Sequence, residues 1–211
     1  MMHQYKLHFL VIFLFTSVPI KALEKHNLNI FFEFPVKNSY EMEFIENVKL
    51  IKIQDIKEYL DSQNWVETYF FKRFLLGDSY LVIKQYQPIS KWNNSFFINE
   101  DGKKFLIDES ATLPNIDCDE SKLNDGITLL RLLSPLINKA SKEISLISFE
   151  YGVGWSITTD GYQKIRFSEK LSENKISDFE ILYTYLLENN KNPSIIDMRN
   201  KSGAALRYDK K

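Results

Sequence analysis

Histidine occurs only at positions 3, 8 and 26, and cysteine only at position 118. One cysteine makes no internal disulfide, and with no second Cys and no His nearby it makes no metal cluster. Nothing around Cys118 would generate a thiolate, so it reads as a structural or bystander residue, not a nucleophile. From about Leu28 onward no imidazole is available, which argues against Ser-His and Cys-His hydrolases and His-ligated zinc. The few glycines form no phosphate-binding loop, and no nucleophile elbow or paired-His helix is present. Charge of one sign is also lacking: 27 basic residues face 28 acidic ones, leaving no excess positive field to draw a polyanion and weakening any nucleic-acid reading. Asp117, Asp119 and Glu120 lie close together without the spacing of a calcium loop and read as a solvated loop. The expectation is a protein with no catalytic residue, no metal, no cofactor and no small-molecule ligand.

The chain has one long apolar run. It spans Leu7 to Ile20, with interruptions at His8, Thr16, Ser17 and Pro19, and is followed by Lys21. About 10 to 14 apolar residues suit the core of a signal peptide, whereas about 20 cover the hydrocarbon of a bilayer. Extension through Leu23, with Lys6 and Lys21 snorkelling, gives a thin anchor. A cleavable signal, with Ala22 before the cut, fits equally well. Both readings export everything beyond about residue 24, in a bacterium to the periplasmic side.

Beyond that run the periodicity divides in two. "LNIFFEF" reads as a strand stopped by Pro35, Tyr40 to Ile45 as a short helix, and "IQDIKEYLDSQ" as a helix with Ile53, Ile56 and Leu60 on one stripe. Val66 to Phe74 and Ser79 to Tyr86 form aromatic and β-branched runs around Gly77-Asp78, a predicted hairpin. Pro88 ends that unit. Asp101-Gly102 turns a second hairpin in "FFINEDGKKFLI", and a loop containing Pro114 and Asn115 precedes an amphipathic helix with Leu129, Leu130, Leu133, Leu136 and Ile137 on one face. "ISLISFE", "VGWSIT" and "YQKIRF" then read as a three-stranded meander, and Ile176, Phe179, Tyr183 and Leu186 as a further helix. The expected second unit is a mixed sheet with helices on one face.

The last stretch, "SIIDMRNKSGAALRYDKK", alternates Ile196 and Met198 with polar residues, turns at Asn200 to Gly203, and alternates again at Ala204, Leu206 and Tyr208. It reads as a terminal hairpin whose last strand is a sheet edge. Small residues at Gly203, Ala204 and Ala205 would let another backbone approach, and edge N–H and C=O groups can capture a strand. The plainer alternative is that Gly203 serves the turn while Leu206 and Tyr208 pack on the sheet, and for Leu206 a core-facing position is the expectation. Trp65, Trp92 and Trp155 read as core anchors rather than ligand platforms.

In order and at similar spacing, "NWVETYFFKR", "SYLVIKQYQPISKW", "FFINEDGKKF", "LLRLLSPL" and "IIDMRNKSGAALRY" resemble the bacterial cell-division family FtsQ, also called DivIB. The resemblance covers about Trp65 to Tyr208. It implies an α+β protein with a cytoplasmic tail at residues 1–6, an uncleaved transmembrane anchor at 7–23, a small POTRA domain at 24–88 and a β domain at 89–211. Only about eighteen residues separate Phe34 from Ile53, so the first of the two POTRA helices is expected to be shortened or missing. Leu75-Leu76-Gly77-Asp78 stands where family members usually have a Trp-Pro pair, and Gln85 where they usually have Glu. The resemblance further implies a non-enzymatic scaffold of the inner membrane at the division septum. Its partners would be FtsB-like and FtsL-like coiled-coil proteins, and through them the septal peptidoglycan synthase. The partner contact carries over to Asn200, Ser202, Gly203 and Tyr208, within an edge that also contains Ala204, Ala205 and Leu206. Two rivals stand beside it: a POTRA-bearing component of outer-membrane assembly or secretion, and an exported enzyme.

Overall fold

The computed structural model describes residues 27–35, 39–74, 78–107 and 112–208. The expected tail and anchor, residues 1–6 and 7–23, lie outside the described residues. Among those described, no helix is long and apolar enough to cross a membrane.

The first unit runs β1 (Leu28–Phe32), α1 (Ser39–Leu50), α2 (Ile56–Asp61), β2 (Val66–Lys72) and β3 (Ser79–Gln85). Its sheet has the order β1-β3-β2, with β1 parallel and β2 antiparallel to β3. The first helix is therefore neither shortened nor missing: α1 has twelve residues, well beyond the expected Tyr40 to Ile45. The economy falls on α2, six residues entered through a 3-10 turn at Ile53–Asp55. The apolar pattern of α1 is faint for a physical reason. Phe44 and Val48 are buried one turn apart, but the buried residue on the preceding turn is Glu41, whose carboxylate accepts a 3.0 Å bond from Gln85 Nε2. Trp65 is 2% exposed in the core this unit builds. Its ring stacks on Phe32 at 6.4 Å and meets Phe44 edge-on at 5.4 Å.

The second unit is a nine-stranded sheet in the order β12-β11-β10-β9-β8-β7-β4-β5-β6. Its elements are β4 (Ser90–Trp92), β5 (Phe96–Ile98), β6 (Lys104–Phe105), β7 (Asn115–Asp117), α3 (Leu123–Asn138), β8 (Ile144–Glu150), β9 (Gly154–Thr159), β10 (Lys164–Phe167), α4 (Glu173–Glu188), β11 (Ile195–Asp197) and β12 (Ala205–Arg207). The loop expected around Pro114 and Asn115 is in fact β7, a strand interior to the sheet, parallel to both β4 and β8. Three residues flanked by proline and acidic residues give too short a pattern to read, and the neighbours on both sides hold the strand in place.

α3 crosses from β7 to its parallel neighbour β8, and α4 from β10 to its parallel neighbour β11. Both crossovers step the same way along strands that run the same way, so right-handed connections put both helices on one face. Beneath them Trp92, Ile116, Ile147, Ile157, Ile165 and Ile196 lie side by side across six strands. The five isoleucines are wholly buried. Gly126 lets α3 come this close: a Cβ there would lie 2.7 Å from Ile116 Cγ2.

The alternate residues face the other way. Ser148, Ser156, Arg166, Asp197 and Ala205 form a row on the opposite, polar face. At the β5–β6 end that face turns apolar, and Phe97 and Phe105 enter the core of the first unit.

Candidate partner-binding edge at the C-terminal hairpin

β11 and β12 form an antiparallel hairpin, and β12 is the last strand of the nine. Its inner side pairs with β11, so alternate N–H and C=O groups point away from the sheet. Leu206 is opposite Ile196 and hence continues the isoleucine row on the helix-bearing face. Although it takes that orientation, it is 37% exposed. Alternation predicted the face correctly, but the expected burial fails because the row runs one strand beyond what covers it.

The other sequence-predicted residues fall together on this hairpin. Ala204 is half-buried against the main core, whereas Ala205 is exposed on the polar face opposite Asp197. Gly203 has φ +79° and no heavy atom within 4 Å of where a Cβ would sit, so it is required by the turn and not by a close approach within the chain. Asn200 and Ser202 are exposed on the turn, and the Asn200 carbonyl accepts a 2.6 Å bond from Lys175 Nζ of α4. Tyr208 is exposed just beyond the strand.

A polar framework around the hairpin was not legible in the sequence. Arg199 donates to both carboxylate oxygens of Asp197, Nε at 2.9 and 3.1 Å and a terminal nitrogen at 2.6 Å. The Asp197 carboxyl is held below its ordinary pKa of 3.8, first by that bond and then, against the opposing effect of burial, by further bonding and charge from Arg199 and by Arg166 at 4.0 Å. The turn between β8 and β9 folds beside it, where Gly152 N donates to the Glu169 carboxylate. Gly154, at φ +100°, lies so close to β10 that a Cβ would be 2.3 Å from the Phe167 carbonyl oxygen. The signals were present as Asp197-x-Arg199 and Gly152-x-Gly154, but spacing alone could not bring the two together.

Trp65 and Trp155 are buried, and Trp92 is half-buried with its Nε1 donating to the Cys118 carbonyl at 2.9 Å. Cys118 is itself buried, and desolvation pushes its thiol up to about 11 despite a bond to Trp92 that lowers it. No group of three or more His, Cys, Asp or Glu among the described residues is arranged to hold a metal ion.

Residues 90–199, the sheet from β4 to the end of β11, match the family model described as cell division protein FtsQ/DivIB, C-terminal. The chain belongs to the FtsQ/DivIB family. It is 19% identical over 196 residues to the cell division protein FtsQ of Neisseria meningitidis serogroup B, covering 90% of this chain and 83% of that one. It is also 22% identical over 157 residues to the cell division protein FtsQ of Coxiella burnetii, covering 71% of this chain and 63% of that one. The family match assigns the chain a role in cell division. The matched region holds the eight strands from β4 to β11 with α3 and α4 on one face, and β12 lies beyond it, after the turn at residues 200–204.

Proposed function

We propose that this FtsQ/DivIB protein is a non-enzymatic scaffold of the division machinery that captures an extended segment of an FtsB-like partner along β12. Through that partner it holds an FtsL-like protein and the septal peptidoglycan synthase. In this reading residues 7–23 remain as a single inner-membrane anchor, residues 24–88 are a POTRA domain and residues 89–211 a periplasmic β domain acting at the septum. The strand, two helices and hairpin of the first unit support the POTRA assignment.

The observation that carries the reading is the end of the isoleucine row. Leu206 lies on the core-facing side of an outermost strand and is left uncovered. An added strand would satisfy the outward backbone groups, and an apolar side chain placed beside Leu206 would extend the row by one position.

The test uses the full chain in cells. Leu206→Asp should reduce co-purification of the FtsB-like protein by at least about tenfold, the factor that about 1.4 kcal/mol produces, while the melting temperature stays near that of the parent. Undiminished co-purification with Leu206→Asp, and again after removal of residues 203–211, would show that the edge is not the docking site.

A further inference from the structure

The side of the β1-β3-β2 sheet turned away from α1 and α2 is unusually apolar for a surface. Phe31 and Phe70 are 52% and 62% exposed, with Tyr80 and Val82 both at 40%. Register makes these one patch, because Phe31 and Phe70 flank Val82 on neighbouring strands. The Phe31 ring stacks on Tyr80 at 6.2 Å, and Tyr80 meets Phe74 edge-on at 5.9 Å. At the end where β1 starts, Lys72 Nζ sits 4.8 Å over the Phe74 ring, and Lys72 and Arg73 are exposed. A sheet covered on one side ordinarily shows polar residues on the other. A joined aromatic patch of this kind calls for a cover.

The sequence limits what that cover can be. Residues 24–27 separate Leu23, the last residue of the expected anchor, from Leu28 at the start of β1. Such a connection reaches at most ~18 Å. We propose that this face rests on the lipid surface, with Phe31, Phe70 and Tyr80 at the boundary between headgroups and acyl chains and Lys72 and Arg73 against lipid phosphates. Aromatic rings and basic side chains are the pair that membrane interfaces favour. β1 is an edge strand, so a short tether at its start lets the face lie along the surface. The inference rests on the reading of residues 7–23 as a retained anchor.

The test is made on the full chain, with the buried Cys118 left in place. Phe70→Cys, or Glu46→Cys on the exposed side of α1 as control, is labelled with an environment-sensitive dye. The protein is reconstituted into vesicles of phosphatidylethanolamine and phosphatidylglycerol containing a headgroup spin label. Quenching at position 70 should exceed that at position 46 by at least about threefold, as a label held at the interface requires. Adding Lys72→Glu and Arg73→Glu should lower it in these anionic vesicles and leave it unchanged in neutral ones. Retention in the bilayer under alkaline carbonate is scored on the same samples. A retained chain with equal quenching at both positions overturns the lipid-surface proposal and leaves the anchor standing, whereas a chain released by carbonate overturns both. Protection of position 70 in native membranes without quenching in vesicles would assign the face to a protein, and likewise overturns the proposal.

Discussion

The two ends of the nine-stranded sheet carry similar apolar side chains and treat them differently. At the β5–β6 end, Phe97 and Phe105 are 9% and 1% exposed, because the first unit closes over them. Tyr86 stacks on Phe105 at 5.5 Å, and Ile107 and Leu113 pack against the same core. At the β12 end, Leu206 and Tyr208 stay exposed, and no described element lies beyond them. The first end is a joint made within the chain. The second leaves apolar surface on the outer strand of a sheet, the kind of edge that strand addition can use.

The strongest way to break this comparison is to empty the joint. Trp65→Ala removes the ring that bridges Phe32 and Phe44 in the core that Phe97 and Phe105 share. The expected loss is about 3 to 5 kcal/mol. Amide exchange should accelerate at β6 and leave β12 unaffected. A variant that melts like the parent would mean that the first core does not secure that end of the sheet.

A smaller disturbance belongs near the other end. Gly154→Ala sets a Cβ against the Phe167 carbonyl at a backbone angle that L residues rarely adopt. It should cost about 2 to 3 kcal/mol and displace the turn beside Asp197 and Arg199. Here exchange should accelerate at β9 and β10 while β6 keeps its protection. Equal acceleration at both ends would show that the sheet opens as one unit.

Sequence reading reached the regular parts of both ends and missed what long-range pairing decides. α3, with Leu129, Leu133 and Ile137 at helical spacing, the β8–β10 meander and the terminal hairpin were legible because each carries its own period and turn. β7 was not, since three residues carry no period and their strand exists only between β4 and β8. α1 was underestimated because Glu41 fills a buried position. Its partner Gln85 lies 44 residues away. At the candidate edge, alternation placed Leu206 on the right face, but exposure depends on where the helices stop covering the sheet, and local sequence does not encode that. The family resemblance supplied the assignment of the edge as a contact, which periodicity could not.

The faces of β12 give a sharper test than its position. Ala204 is half-buried against the main core and Ala205 is exposed opposite Asp197. Ala204→Asp should therefore destabilise the protein by about 1 to 3 kcal/mol through desolvation of a carboxylate. Ala205→Lys, beside an acidic neighbour, should stay within about 0.5 kcal/mol. If the two variants melt alike, the strand does not hold the register that puts Leu206 on the apolar row.

The smallest expected effect is a response to acid confined to the β12 end. Because the folded carboxyl of Asp197 titrates below 3.8, ionised Asp197 stabilises the folded hairpin. That contribution is complete above the ordinary value and is lost as pH falls through the lower, folded one. Melting temperature should thus show no Asp197-dependent change between neutrality and about pH 5. At lower pH the parent should lose stability relative to Asp197→Asn, which has no carboxylate to protonate. At neutral pH that variant should cost no more than about 1 kcal/mol, since the pair is partly exposed and screened by solvent. At the opposite end, stacking of Tyr86 on Phe105 carries the contact, and ring packing needs no ionised group. Amide protection in β6 should accordingly be the same in parent and Asp197→Asn at every pH, while protection in β11 and β12 should be higher in the parent at neutral pH and converge with that of the variant in acid. A parent and variant that lose the hairpin together on acidification would show that the pairing of Asp197 with Arg199 does not hold the edge in place.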